Sequence, residues 1–325
     1  MNVTVLGAGA WGTALAQVLH QKKHTVTLWN HTPERLEEIR RTQMNEQALP
    51  GVRLPSDWRL EPELPRAIEQ SECVVVAVPS RAFREVTTAL ADYTGILVSV
   101  TKGIEYDTGL TMCGVLAENA PKAARVALSG PTLALEVARG IPTAIVAASD
   151  DPATAETVQQ LLHRPSFRVY TNADPLGVEM GGALKNVVAI AAGLGDGLGF
   201  GDNSKAALIT RGILEIRRLG VASGAHAETF AGLSGLGDLT VTCYSRLSRN
   251  RAFGERLGRG ETLEKVLDWP SVAEGYPTAR SAYQLARRLR VTTPIIDQIY
   301  ALLYENKDLM QAVLDLTGRE SKREA

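Results

Sequence analysis

A glycine-rich turn near the start of the chain constrains the fold most. An apolar run at residues 3–6 leads into Gly-Ala-Gly-Ala-Trp-Gly at residues 7–12, and helix-forming residues follow. This order predicts a strand, a tight turn and a helix with free backbone N–H groups at its start. Gly7 permits the turn, Gly9 lets the backbone approach a pyrophosphate, and Gly12 lets the helix pack closely on the strand. The pattern favours a dinucleotide site. The alternative is a plain strand-to-helix turn, which can have the same sequence pattern.

Size and charge narrow the class of protein. The 325 residues suit two domains, and a net charge of −1 gives no overall attraction to nucleic acid or anionic membrane. Cys73, Cys113 and Cys243 lack metal-ligand spacing, which argues against a zinc site or a disulfide framework and for a reducing compartment. We find no N-terminal targeting stretch and no apolar run that could span a bilayer, so the sequence predicts a cytoplasmic protein.

Strand and helix patterns alternate in the first half of the chain. Strands are predicted at residues 24–29, 73–78, 96–100, 125–128, 143–147 and 167–170, with a loop at 45–55. This alternation predicts an α/β fold with a doubly wound, parallel sheet of Rossmann type. From residue 177 onward the patterns are helical. We therefore expect a dinucleotide-binding domain at residues 1–178 and an all-α domain at residues 179–325.

The end of the second predicted strand bears on the choice of cofactor. An NAD site usually has Asp or Glu here for the ribose 2′-hydroxyl, whereas this chain has Asn30, His31 and Thr32, with Arg35 one helical turn later. We predict that NADP(H) is accepted, with Arg35 close to the 2′-phosphate. A solvated loop with a surface arginine is the alternative.

Polar residues follow two other predicted strands. Lys102 comes after the strand at residues 96–100, and Gly130 and Thr132 come after the strand at residues 125–128. Ligands of doubly wound sheets bind beyond the carboxyl ends of strands, which favours a ligand role for these residues. The alternatives are a solvated loop lysine and a threonine that only caps a helix.

Lys185 stands in the nearly all-apolar helix predicted at residues 181–192. Burial would lower the pKa of its ammonium group toward the range in which it exchanges a proton near neutrality. The alternative is that Lys185 extends to solvent from a partly exposed face. We favour the catalytic interpretation because perturbed lysines cluster in functional clefts.

An acid and an arginine cluster follow later in the chain. Asp238 lies in a glycine-rich apolar turn and is suited to holding the charged lysine, and Ser248, Arg249 and Asn250 offer donors for a phosphate or a carboxylate. Alternatively, Asp238 caps a helix and Arg249 lies on a wet surface.

These stretches together resemble the bacterial-type NAD(P)-dependent glycerol-3-phosphate dehydrogenases from Val3 to about Tyr300. The motifs that carry the resemblance, besides the glycine turn, are Leu-Pro-Gly at 49–51, Thr-Lys-Gly at 101–103, Ser-Gly-Pro-Thr at 129–132, Leu-Lys-Asn at 184–186, Gly-Leu-Gly-Asp-Leu at 235–239, Ser-Arg-Asn at 248–250 and Glu-Gly at 274–275. The resemblance implies a homodimer that reversibly reduces dihydroxyacetone phosphate to sn-glycerol 3-phosphate with NADH or NADPH, without a metal, for phospholipid biosynthesis.

The resemblance also implies roles for individual residues. Lys185 exchanges the proton. The residues implied around the substrate are Lys102, Gly130, Thr132, Lys185, Asp238, Ser248, Arg249 and Asn250. Those implied at the cofactor are Ala10, Trp11, His31, Lys102, Ala134, Arg249, Val272 and Glu274, in addition to Gly7, Gly9, Gly12 and Arg35. Leu133 and Leu135 depart from the family's usual residues, which affects packing over the nicotinamide.

Two other functions stay open on the sequence. A dehydrogenase of a 3-hydroxy acid also combines a Rossmann domain, a helical domain and a lysine, and its carboxylate could use the same arginine. A regulator that binds NADP(H) without turnover belongs to a different class, and the lysine and acid in the helical half argue against it.

Overall fold

The computed structural model describes residues 1–268 and 273–318. Within them, one sheet has the strand order β10-β9-β8-β7-β6-β1-β2-β5, and β3 and β4 form a separate hairpin. The strands are β1 Asn2–Leu6, β2 Thr25–Trp29, β3 Met44–Asn45, β4 Leu49–Arg53, β5 Arg59–Glu61, β6 Cys73–Val76, β7 Ile96–Ser99, β8 Ala124–Ser129, β9 Thr143–Ala148 and β10 Phe167–Asn172.

Helices cover both faces of this sheet, so the central strands are buried throughout, as all four residues of β6 show. These helices are α1 Ala10–Gln21, α2 Pro33–Thr42, α3 Leu64–Ile68, α4 Ser80–Thr87, α5 Met112–Asn119, α6 Ala134–Ala138 and α7 Pro152–Leu162. From β1 the chain moves to β2 on one side and later to β6 on the other. The crevice between β1 and β6 is therefore the switch point at which such sheets bind ligands.

The expectation of an all-parallel sheet is wrong at one pair, because β8 and β9 are antiparallel. The only helix that joins them, α6, has five residues and is too short to carry the chain back across the sheet. The predicted loop at residues 45–55 is also wrong in part, because it contains most of the β3–β4 hairpin. A two-residue strand and a strand with Pro50 and Gly51 give no alternating pattern from which to predict them.

The helical half is built around α8, Pro175–Gly197, whose residues 177–190 are all buried. The other helices are α9 Asp202–Ala222, α10 Asp238–Tyr244, α11 Arg249–Gly258, α12 Leu263–Leu267, α13 Gly275–Leu289, α14 Pro294–Tyr304 and α15 Leu309–Thr317. This confirms the fold class, a doubly wound sheet followed by helices. The predicted boundary at residues 178 and 179 falls inside α8, and the division there stays a prediction.

The reversal at β9 decides where α8 starts. Because β9 and β10 run against the other strands, the chain leaves the sheet at the edge opposite the β1–β6 crevice. Helix α8 then runs back past β8, where Gly182 packs on Ser129 and Lys102. At 1.5 Å per residue, Lys185 lies about 15 Å along the helix from Pro175, at the carboxyl ends of β7 and β8. No helix in residues 1–268 and 273–318 is long and apolar enough to cross a membrane.

Candidate active site

The glycine turn joins β1 to α1 at the switch point. Gly7 has a φ of +117°, and a Cβ added there would lie 2.6 Å from the backbone oxygen of Ala77. A Cβ on Gly12 would lie 2.0 Å from the Gly7 oxygen, whereas a Cβ on Gly9 would meet no atom within 4 Å. Gly7 and Gly12 are therefore required by packing, but Gly9 borders open space. That space lies at the start of α1, where backbone N–H groups attract an anion, so the turn fits a dinucleotide pyrophosphate.

Asn45 holds this turn in place from the β3–β4 hairpin. Its buried amide group donates to the Ala8 oxygen and to Thr13 Oγ1, both at 2.9 Å. Sequence reasoning missed this residue, because the hairpin was predicted to be a loop. Trp11 is half-buried beside the turn, and its buried Nε1 has no partner among the described residues. Ala10 is the first residue of α1.

His31 and Arg35 follow β2, His31 in the connection to α2 and Arg35 in the first turn of α2. His31 is exposed, with its ring centroid 6.4 Å from that of Trp29. Arg35 is half-buried on α2; its Nη2 donates to Gln47 Oε1 at 3.4 Å, while its buried Nε has no hydrogen-bond partner in the described chain. Both residues follow β2, whose last residue pairs with Leu6 directly before the glycine turn. Their contact with an adenosine ribose stays a prediction.

Lys185 lies at the centre of a buried cluster. Its Nζ donates to Asp238 Oδ1 at 2.5 Å and to Thr242 Oγ1 at 2.6 Å. The side chains of Lys185 and Asp238 are only 7% and 1% exposed, so Lys185 does not extend to solvent. An ammonium group has three N–H bonds, and the third has no acceptor among the described residues. It is available to a bound ligand.

The same carboxylate also holds Lys102. The Lys102 Nζ donates to Asp238 Oδ2 at 2.7 Å and to the Gly130 oxygen at 3.1 Å. Asp238 thus joins the ends of β7 and β8 to the helical half. Burial lowers the pKa of Lys185 to about 8, with the Lys102 charge acting in the same direction and the Asp238 carboxylate opposing both. A lysine with this pKa can give or take a proton near neutral pH.

Ser248, Arg249 and Asn250 form the start of α11. The Ser248 hydroxyl caps the helix by accepting from Arg251 N, and the backbone N–H groups of Arg249 and Asn250 donate to no described residue. Arg249 is exposed as a residue, although protein atoms surround part of its guanidinium, and the guanidinium has no hydrogen bond or ion pair in the described chain. Partial withdrawal from water lowers its pKa, against the effect of Glu274. A helix start with a free arginine fits an anionic group.

The Asn250 side chain faces the protein rather than a free cleft. Its Nδ2 donates to Asn186 Oδ1 and its Oδ1 accepts from Gly275 N, each at 2.8 Å. Asn186 follows Lys185 on α8, so this amide pair ties the start of α11 to the helix that carries the lysine. From the sequence, Asn186 was named only as part of the Leu-Lys-Asn motif and was given no role, and Thr242 was not singled out. Nothing local marks an asparagine or a threonine as a partner in a buried cluster.

Three further predicted residues belong to the described part of the chain, namely Glu274, Thr132 and Ala134. Glu274, the N-cap of α13, accepts from Ser80 N at 3.2 Å and from Ser80 Oγ at 2.5 Å, which joins the start of α13 to the start of α4. Thr132 Oγ1 donates to the Gly130 oxygen, so Thr132 does not cap α6, whose N-cap is Leu133. Ala134 is the half-buried first residue of α6. Val272 lies outside the described residues.

Comparison with known proteins gives the family. Residues 2–155 match the family model "NAD-dependent glycerol-3-phosphate dehydrogenase N-terminus", and residues 174–314 match its C-terminus. Two relatives named glycerol-3-phosphate dehydrogenase [NAD(P)+] are similar over nearly their whole length. The protein from Geobacter sulfurreducens is 50% identical over 99% of this chain and 98% of its own, and that from Chlorobium phaeobacteroides is 48% identical over 100% and 99%.

A solved structure agrees with these sequence matches. The crystal structure of glycerol-3-phosphate dehydrogenase from Coxiella burnetii has a TM-score of 0.94 and 37% identity to this chain, and the match covers 98% of this chain and 99% of that one. The matched domains, the full-length relatives and this structure show that the chain belongs to the NAD-dependent glycerol-3-phosphate dehydrogenase family.

Proposed function

We propose that the chain catalyses the reversible reduction of dihydroxyacetone phosphate to sn-glycerol 3-phosphate with NADH or NADPH. One arrangement carries this proposal. The buried Lys185 ammonium group has a free N–H bond, and the hydrogen bond between Asn186 and Asn250 ties its helix to the start of α11, where the Arg249 guanidinium is free. The first group suits a carbonyl oxygen, and the second suits a phosphate. A small ketone that carries a phosphate satisfies both.

The residues of the chain divide the work between binding and proton transfer. A nicotinamide cofactor, when bound, supplies or accepts the hydride. Gly9 and the start of α1 bind the pyrophosphate, and Arg249 with the free N–H groups of α11 binds the substrate phosphate. Lys185, protonated in the direction of reduction, stabilises the negative charge that grows on the ketone oxygen and then gives it a proton.

Asp238, Thr242 and Lys102 serve this proton transfer. Asp238 and Thr242 fix the direction of the Lys185 ammonium group through two of its three N–H bonds. Lys102 keeps Asp238 in place from the sheet side and adds positive charge beside the ketone oxygen. In the direction of oxidation the neutral form of Lys185 accepts the proton from the alcohol.

Parallel assays of NADH and NADPH oxidation test this function. We expect steady oxidation of either cofactor with dihydroxyacetone phosphate, and much slower oxidation with dihydroxyacetone or with the keto form of a 3-hydroxy acid. Preference for a keto acid would assign Arg249 to a carboxylate and overturn the proposal. Tight cofactor binding without turnover of any of these compounds would identify a sensing protein instead. The homodimer, the cytoplasmic location and the role in phospholipid biosynthesis stay predictions from the sequence.

A further inference from the structure

Helices α8 and α11 pack backbone against backbone through glycines. Gly193 and Gly197 on α8 have the same four-residue spacing as Gly254 and Gly258 on α11. A Cβ on Gly193 would lie 2.0 Å from the Arg251 oxygen, and a Cβ on Gly254 would lie 2.0 Å from the Ile190 oxygen. Any larger residue at these two positions would push backbone atoms apart by more than an ångström, since carbon and oxygen approach to about 3.4 Å. We call these four residues the glycine seam.

An ion-pair network reinforces the seam. Asp196 on α8 lies 2.6 Å from Arg251 Nε, measured to Oδ2, and 2.6 Å from Lys205 Nζ, measured to Oδ1. The side chains of Asp196 and Arg251 are 13% and 11% exposed, so the pair is largely screened from water. Arg251 belongs to the first turn of α11, two residues after Arg249. The ion pair, although it is not aligned as a hydrogen bond, therefore attracts to α8 the end of α11 that presents the free N–H groups.

The two helices carry the two halves of the proposed substrate site. Lys185 lies about two turns before Gly193 on α8, and Arg249 lies about one turn before Gly254 on α11. Among the described residues, the Asn186–Asn250 pair is the one side-chain hydrogen bond between these two ends. The separation between the Lys185 ammonium group and the start of α11 is therefore set by how closely the helices pack.

We propose that the glycine seam and Asp196 are positioning elements that fix the distance from the proton donor to the phosphate-binding helix start. This inference rests on the proposed function, because it takes the start of α11 as the phosphate site. It makes the seam a determinant of specificity: a substrate must span a fixed length between its carbonyl oxygen and its phosphate. None of these residues touches the substrate.

The proposal predicts a separation of effects. Lys185 is held by Asp238 and Thr242 on α10, which do not belong to the seam. A wider seam should thus move the start of α11 and leave the proton donor in place. Reduction of a substrate with a phosphate should suffer, whereas reduction of one without a phosphate should not.

Gly254→Ala tests this separation, with Gly195→Ala as the matched control. A Cβ on Gly195 would meet only the Phe200 ring at 3.6 Å, an ordinary contact, although Gly195 lies on α8 between the two seam glycines. For Gly254→Ala we expect kcat/KM for dihydroxyacetone phosphate to fall about 100-fold, because displacement of about 1 Å can cost that much. We expect kcat/KM for dihydroxyacetone to stay within about threefold of wild type in both variants.

Asp196→Asn provides a second variant in case circular dichroism shows that Gly254→Ala is not folded. It keeps the side-chain shape and removes one charge, and we expect about a tenfold loss with dihydroxyacetone phosphate alone. An equal loss with both substrates, or no loss with either, in a folded variant would overturn the inference. If the wild-type enzyme did not reduce dihydroxyacetone phosphate, the proposed function itself would fail, so the two failures are distinguishable.

Discussion

The two proposed ligand sites at the carboxyl edge of the sheet are constructed in opposite ways. The proposed cofactor turn is made of backbone from a few consecutive residues, and Gly9 leaves open space beside it. The proposed proton-transfer cluster is made of side chains from distant segments, with Lys102 and Asp238 separated by 136 residues. The first site depends on the absence of a side chain at Gly9, and the second depends on buried charged side chains.

This difference decides how each site responds to change. Asp238 is 1% exposed and is the one carboxylate shared by two ammonium groups, so removal of Asp238 leaves two positive charges without their counter-charge away from water. The cofactor turn has no such charge, and its shape depends on close packing and on the Asn45 amide. We therefore expect large effects on turnover from the cluster and moderate effects on cofactor binding from the turn.

The largest effect should come from Lys185→Ala. We expect kcat to fall about 10³- to 10⁴-fold, since a positioned acid contributes up to that factor, while NADPH binding measured by fluorescence titration is retained. Lys122→Ala is the control, because Lys122 is an exposed lysine paired with Asp92. Turnover within tenfold of wild type in Lys185→Ala would mean that the cluster does not transfer the proton.

Arg249→Ala should have the next largest effect. Loss of a charged hydrogen-bond donor should lower kcat/KM for dihydroxyacetone phosphate by about 100-fold and leave dihydroxyacetone almost unaffected. Arg246→Ala, at an exposed arginine three residues earlier, is the control. If steady-state kinetics showed the same loss of kcat/KM for both substrates, the start of α11 would not be the phosphate-binding site.

On the cofactor side, Asn45→Asp should have a moderate effect. A carboxylate cannot donate to the Ala8 oxygen, so the glycine turn loses its anchor and KM should rise about tenfold for NADH and NADPH together. The KM for dihydroxyacetone phosphate should not change. A larger effect on the substrate than on the cofactors would contradict the assignment of Asn45 to the turn.

The smallest effect should be that of Arg35→Ala. We expect KM for NADPH to rise severalfold, about as much as one exposed charged contact contributes, with KM for NADH unchanged. Arg41→Ala, at an exposed position of the same helix, is the matched control. A similar rise for both cofactors would argue against a contact between Arg35 and the 2′-phosphate.

The same contrast explains what the sequence could predict. The turn was predictable because a strand, three glycines and a helix follow one another in the sequence. The need for each glycine follows from its own position in the turn. The burial of Lys185 was predictable from the apolar helix around it, and its expected contact with Asp238 is present. Its catalytic role stays a prediction.

The remainder depends on contacts between segments that are distant in sequence. No local pattern shows that Lys102 and Lys185 bind the same carboxylate. Nor does one show that the Asn250 amide hydrogen-bonds to Asn186 and Gly275, or that Asn45 supports the glycine turn. The strand β9 was predicted, but its antiparallel direction was missed because apolar runs do not encode strand direction. That reversal is what starts α8 at the far edge of the sheet and brings Lys185 to the cleft.

The pH dependence of kcat/KM in both directions tests the buried ammonium most directly, because kcat/KM reports the pKa of the enzyme before the substrate binds. Burial lowers the pKa of Lys185 to about 8, and reduction needs the protonated form while oxidation needs the neutral form. We expect kcat/KM for reduction to be constant at lower pH and to fall as the pH rises through about 8. Conversely, kcat/KM for oxidation should rise through the same range. Profiles that are flat there, or that move in the same direction, would contradict a proton transfer by Lys185.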